Sequence, residues 1–211
     1  MSGVDREQGS DNSSEDVLDL ARGRAVSRVR AAAYMAATPT ELNARDDNIV
    51  AELTIDNSSA KSKLGKLYRL LADASEVAKP FVACQNGCSA CCKMNVDVTS
   101  VEAERLALVS GKRMARVTAP IKHREDEFSG VACPLLVNDS CSVYEARPFA
   151  CRAHHSFDTS SYWCQPERAY AGEMGMATLG GAKLAYGVLA GKTSLRGFAD
   201  IRDFFPTVEQ P

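Results

Sequence analysis

Val17, Leu20, Ala21, Val26, Val29 and Ala33 recur at near-helical spacing behind Ser14, Glu15 and Asp16. A serine cap and acids in the first turn suit the free amide donors and positive end of a helix, so this stretch predicts an amphipathic helix. Residues 1–13 are polar and aperiodic and read as a disordered tail. A break at Pro39 leads to a weaker helical stretch, Glu41 to Leu53. "DNSSAK" then opens another helix with Leu64, Leu67, Tyr68, Leu71, Ala74 and Ala78 on one face. Pro80 stops it, because proline lacks an amide donor and disfavours helix in the residue before it.

The loop "CQNGCSACC" follows, "MNVDV" alternates like a short strand, and "TSVEAERLALVSG" carries a helix-capping signature that ends at Gly111. Lys112 to Phe128 read as a heavily charged outer helix, with His123 solvated on it. In "CPLLVNDSCSVYEARPFACR", the runs Leu135 to Val137 and Ser142 to Tyr144 around Asn138, Asp139 and Ser140 predict a small hairpin. Pro148 then permits one helical turn carrying Cys151 and Arg152. Pro166 to Ala190 read as helical despite six glycines between Gly172 and Gly191. Glycine costs a helix roughly 1 kcal/mol against alanine, so close backbone packing against another element is expected to compensate.

These elements predict a mainly α fold: a small helical domain with irregular cysteine-rich loops and one short β-hairpin around a metal centre. The expected organisation is a tail at 1–13, N-terminal helices at 14–80, a cysteine-cluster region at 81–166 and a C-terminal helical packing segment at 167–211. The helices and the cysteine region form one domain in this reading. A chain of 211 residues can bury a real core, unlike the small secreted scaffolds that depend on disulfides. Asp5, Arg6, Glu7, Asp11, Arg22 and Arg24 leave no apolar middle for a secretory signal among the first thirty residues, so the expected location is cytoplasmic. No apolar run approaches the roughly 18 residues of a membrane helix. The net charge of −2 predicts no nucleic-acid or membrane-surface partner.

All eight cysteines, Cys84, Cys88, Cys91, Cys92, Cys133, Cys141, Cys151 and Cys164, fall in the central region and none in the flanking helices. In a reducing compartment such clusters favour metal binding over inert thiols and over disulfides. Thiolate is a soft ligand that selects zinc, copper(I) or iron-sulfur clusters. Cys88-Ser-Ala-Cys91 is a C-x-x-C unit whose spacer lets two sulfurs face one metal. Cys92 follows Cys91 directly, and neighbouring side chains diverge, so the pair points to a multinuclear cluster or two adjacent sites. Eight sulfurs also divide into two sets of four, the arithmetic of two tetrahedral zinc centres.

His154 and His155 are candidate imidazole ligands or proton-transfer groups, with a structural role as the bland alternative. Arg147 and Arg152 are candidate cofactor-binding residues, offsetting thiolate charge or binding an anionic substrate. A salt bridge to Glu145 or Asp158 is the alternative for each. Phe157 and Trp163 read as an apolar lid over the metal site.

With "CQNGCSACC", "CPLL", "CSVYEARPFACR" and a downstream Cys164 in this order, the sequence resembles the cysteine-cluster family described as zinc- or iron-chelating, the YkgJ-like or CxxCxxCC proteins, over about residues 81 to 166. The resemblance places the cluster on Cys84, Cys88, Cys91, Cys92, Cys133, Cys141 and Cys151, with Tyr144, Arg147, Pro148 and Arg152 framing the last. One departure stands out: the family's name implies two residues between its first and second cysteines, whereas Cys84 and Cys88 enclose three. The expected function is a metal-binding protein whose multi-cysteine centre is an iron-sulfur cluster, 4Fe–4S favoured, used in redox or substrate modification. The alternatives are a structural zinc-binding interaction module, or metal storage or delivery. The expected partners are the metal ion or cluster and a redox or protein partner.

Overall fold

The computed structural model describes residues 12–169, 179–193 and 197–206. The first eleven residues of the expected tail and part of the expected C-terminal helix, 170–178, lie outside them. Helices α1 (Asn12–Ala37), α2 (Thr40–Ile55) and α3 (Ala60–Ala78) come first, followed by β1 (Asp97–Thr99) and α4 (Ser100–Ser110). A hairpin of β2 (Leu136–Val137) and β3 (Ser140–Cys141) leads to α5 (Phe149–Ala153), α6 (Gly180–Thr193), β4 (Phe198–Asp200) and α7 (Ile201–Phe204). The fold is mainly α with only short two-stranded sheets among the described residues.

Ser59 caps α3 through the Ser62 amide, and Thr99 and Glu102 close a reciprocal capping box on α4. Gly111 ends α4 with a φ of 69°, a left-handed conformation that glycine adopts without strain. In the β2–β3 hairpin Leu136 pairs with Cys141 and Val137 with Ser140. Asn138 and Asp139 both have positive φ, as a two-residue turn matched to strand twist requires. The second strand thus runs at Ser140–Cys141, ahead of the expected Ser142 to Tyr144, because the tight turn fixes the register. A second sheet was not foreseen: β1 pairs antiparallel with β4, setting Val98 opposite Ala199.

Two expectations about the helices fail. Lys112 to Phe128 do not form a helix. Pro120 interrupts the segment, and its amides bond elsewhere: Ala115 N–H donates to Phe204 O at 2.7 Å and Ile121 N–H to Phe198 O at 2.9 Å. Met114 and Val117 pack on the core beneath, so the segment is a strap over β4 and α7. His123 is accordingly paired, with Nε2 2.8 Å from Asp203 Oδ2.

The predicted apolar face of α1 is also not the buried one. Val29 is 70% exposed, while Gly23, Ser27 and Tyr34 face inward. Gly23 is needed because a Cβ there would lie 2.5 Å from the Trp163 indole nitrogen. Arg30 Nε donates to Phe81 O at 2.9 Å, fastening the helix to the end of α3.

The core has three parts. Leu42, Ile49 and Leu53 of α2 pack with Leu67, Leu70 and Leu71 of α3 and Ala182, Ala185 and Leu189 of α6. A second cluster, including Val98, Leu106, Leu135, Val143, Ile201 and Phe204, lies under the cysteine loops, and Cys133, Cys141 and Cys151 pack against it. Tyr34, Ala78 and Phe157 form the third. Phe157 is therefore a core residue between α1 and α3, and Trp163 packs on α1, so the expected lid is part of the helix scaffold.

The expected compensation for glycine in the C-terminal helix is found at Gly181. An added Cβ would stand 1.8 Å from Asp46 O, and Asp46 Oδ1 and Oδ2 accept the amides of Ala182 and Gly181 at 2.7 and 3.0 Å. Gly181→Ala is expected to cost roughly 1–3 kcal/mol through overpacking, read as a lower urea midpoint. Gly187→Ala, whose Cβ meets nothing within 4 Å, should be neutral or slightly stabilising.

The His123–Asp203 hydrogen bond raises the imidazole above its ordinary value. Stability from this pair is fully present below the unfolded value of about 6.5 and is lost as pH rises through the higher folded value. A proton NMR titration should show His123 titrating above a free histidine, and Asp203→Asn should return it toward that value.

Buried Glu102 joins the first two core clusters. Its Oε1 accepts from Tyr68 OH at 2.6 Å and Phe149 N–H at 2.8 Å; its Oε2 accepts from Tyr186 OH at 2.7 Å and from the Thr99 amide and hydroxyl at 2.9 and 3.0 Å. The bond to Phe149 holds the first residue of α5, the helix that carries Cys151.

Candidate metal centre

Three irregular segments bring the thiols together. In the first, Cys88 N–H donates to Gln85 O at 3.1 Å and Gly87 has a φ of 90°, so the residues between Cys84 and Cys88 form a tight turn. The extra residue in the spacer is thereby absorbed in a loop that returns the chain toward Cys84. The 3-10 turn Ala90–Lys93 then carries Cys91 and Cys92. The second segment is the hairpin with α5, bearing Cys133, Cys141 and Cys151, tied to the first by a 2.7 Å bond from Cys133 N–H to Cys92 O. The third is the chain after α5. Ser156 N–H donates to Cys84 Sγ at 3.2 Å, Ala83 N–H donates to Ser156 O at 2.9 Å, and Cys164 follows in the 3-10 turn Tyr162–Cys164.

All eight cysteines are free thiols. Their mutual influence sorts them into two neighbourhoods. Burial raises Cys133 to about 11, with Cys92 and Cys141 adding to the rise. Cys151 is pushed up by burial and by Cys133, Cys92 and Cys141, and Cys141 by burial and by Cys92. Each member of the set Cys92, Cys133, Cys141 and Cys151 thus stands within electrostatic reach of the other three. In the second set, burial raises Cys84 and Cys164, with Cys88 adding to both and Cys84 adding to Cys164. Cys91 joins the sets: its thiol hydrogen-bonds to Cys92, which raises Cys91 and lowers Cys92, and it also responds to Cys151 and Cys84.

Several groups favour thiolate at these positions. The amides of Leu135 and Val143 donate to the sulfurs two residues before them, Cys133 and Cys141, and lower both. Arg147 lowers Cys84, Cys92, Cys141 and Cys151, placing one guanidinium within reach of both sets. Its Nε donates to Tyr144 O at 2.9 Å, and its guanidinium lies 3.5 Å from the centre of the Tyr144 ring. Arg152 is committed to the backbone, donating to Arg147 O at 2.7 Å and to Glu145 O, and it lies over Tyr68. It therefore fastens the loop before α5 to α3.

Arg202 stands beside the cysteine loops and carries no signal of that in the sequence. It pairs with buried Asp200 at 2.9 Å, donates to Met94 O, Cys92 O and Val131 O, and lowers Cys92 and Cys133. Its place in the last short helix gives no sequence signal, since only the β1–β4 pairing brings it to the cysteine loops.

The donor set fits a soft metal or cluster by chemistry: free sulfurs gathered from three segments, amides aimed at sulfur, and cations beside them. Among the described residues no group of three or more His, Cys, Asp or Glu side chains is set to hold a metal ion. Coordination therefore requires the thiols to turn from the arrangement seen, beginning with the Cys91–Cys92 contact.

His154 and His155 lie beside the second set. Burial holds both below the ordinary imidazole value, His155 at about 4, with the His154 and Arg147 charges adding to that shift. The Cys84 thiol donates to His154 O at 3.8 Å, a backbone contact.

A cysteine-rich segment of this make-up defines a thiolate metal-chelating class. Residues 83–167 match the CxxCxxCC family, described as "Putative zinc- or iron-chelating domain", and all eight cysteines fall inside the match. The match supports metal binding by this segment and bears out the resemblance read from its motifs. Neither the curated proteins nor the solved structures gave a match. No helix among the described residues is long and apolar enough to cross a membrane.

Proposed function

We propose that this chain is a cytoplasmic metalloprotein whose cysteine region, residues 81–166, holds an iron-sulfur cluster used in redox or substrate modification. Cys92, Cys133, Cys141 and Cys151 are the ligands of the main centre in this reading. Cys84, Cys88 and Cys164, with Cys91 at the junction, form a second set that holds a further metal. A bound iron-sulfur cluster supplies one-electron transfer at a potential tuned by charge, hydrogen bonding and solvent access. Arg147 and Arg202 stabilise thiolate charge, the Leu135 and Val143 amides hydrogen-bond two of the sulfurs, and the second core cluster dries one side.

The observation that carries the functional reading is an open cleft of about 590 Å³ whose wall includes Cys84 and Cys151. That volume falls in the range of small-molecule sites. A closed four-thiolate site that only staples loops has no need of one. The division of the thiols into two neighbourhoods favours a second reading, a pair of structural zinc centres. Metal and acid-labile sulfide analysis of anaerobically purified protein separates the two: iron with sulfide supports the cluster, and stoichiometric zinc without sulfide supports the module. The N-terminal helices and the C-terminal segment serve in both readings as the scaffold of one domain.

A further inference from the structure

The cleft is walled by the end of α3, the loop at 82–86 and the segment around α5. Its charged side chains are not equally available. Lys79 pairs with Glu76 at 2.5 Å, and Arg152 donates to two carbonyls. Arg147 uses only Nε, so both terminal nitrogens of its guanidinium have no hydrogen-bond partner among the described residues. A planar fork of this kind matches a carboxylate or phosphate.

The second polar group is His155, and its tautomer follows from its neighbour. The single Ser75 hydroxyl proton is given to Leu71 O at 2.7 Å. The 3.2 Å contact from Ser75 Oγ to His155 Nε2 must therefore have Nε2–H donating. Nδ1 then carries the lone pair, and burial keeps the ring neutral near pH 7. A cationic fork and a neutral acceptor thus line one cleft beside the thiols.

We propose that this cleft binds a small molecule bearing an oxyanion, a carboxylate or a phosphate ester, with the oxyanion held by Arg147 and the His155 imidazole accepting a hydrogen bond from a hydroxyl or amine elsewhere on the same molecule. This deepens the functional reading above and rests on it only in taking the ligand as the molecule acted on beside the metal. The full-length protein is titrated with inorganic phosphate and, separately, with acetate while the Arg147 and His155 nitrogen resonances are followed.

A saturable shift at Arg147 is expected with at least one probe, and at His155 only with phosphate, whose O–H can donate to Nδ1 where acetate has no donor; phosphate alone would mark a phosphate ester as ligand, and acetate alone a carboxylate. Arg147→Ala should weaken binding roughly tenfold or more, since it removes the charged fork that pairs with the oxyanion. Lys79→Ala should change it little. No saturable shift with either probe, or unchanged affinity in Arg147→Ala, would overturn the proposal. The nitrogen shifts of His155 in the parent protein should show the Nε2–H tautomer, mixed with the other tautomer in Ser75→Ala, and an Nδ1–H signature in the parent would overturn the acceptor role. Metal content is measured on every sample. Failure to bind anion with full metal content counts against the cleft alone, and metal loss with anion binding intact counts against the metal reading alone.

Discussion

Glu102→Ala is expected to destabilise the protein by at least about 3 kcal/mol, because it leaves several buried donors without an acceptor. Two tyrosine hydroxyls, two backbone amides and the Thr99 hydroxyl converge on this carboxylate. Domains are commonly stable by about 5–15 kcal/mol, so the loss is a large share of the total. Glu102→Gln should also destabilise, though less, since an amide keeps one acceptor oxygen and turns an N–H₂ toward donors. Urea unfolding checks both variants. The Phe149 bond extends the effect to the cysteines: with the start of α5 released, Cys151 loses its fixed position and metal retention should fall. A Glu102→Ala protein as stable as the parent would show that the carboxylate is not the junction described.

The second large effect is expected at the main thiol set. Serine at Cys92, Cys133, Cys141 or Cys151 replaces a soft sulfur by a hard oxygen, and each change should lower the metal content of the main centre roughly tenfold or more. Cys164→Ser should spare that centre and affect only the second set. Metal analysis of the variants beside the parent decides this, and equal losses at Cys164 and Cys151 would contradict the two-set division. Cys84→Ser belongs with Cys164 in this account.

The helices were legible wherever local chemistry decides them. Ser59, Thr99 with Glu102, and Gly111 mark helix ends that the structure keeps. Asn138 and Asp139 likewise marked the hairpin turn, although its second strand lay two residues earlier than the apolar run suggested. The segment at 112–128 reads as a helix because its charges are evenly spread, and nothing local reveals that β4 and α7 would take its amides. The buried face of α1 was misread for a related reason. Gly23 and Ser27 are not apolar, and only the approach of Trp163 makes smallness there matter more than hydrophobicity.

For the site, the thiols themselves were visible as a cluster and as a family motif. Their grouping was not, since the influence of Cys92 on Cys133, Cys141 and Cys151 depends on how the hairpin and α5 fold back beside the first loop. Arg202, the Ser75–His155 contact and the reach of Arg147 to both sets depend on packing between distant segments. Glu102 announced itself only as a capping residue, because the donors from Tyr68, Phe149 and Tyr186 arrive from three other helices.

The central claim is that the gathered cysteines hold an iron-sulfur cluster. The most direct test is iron, zinc and acid-labile sulfide content with a visible spectrum, on full-length protein purified without oxygen. The account predicts iron and sulfide in near-equal amounts and broad visible absorption that bleaches on reduction. Colourless protein with stoichiometric zinc and no sulfide would contradict it.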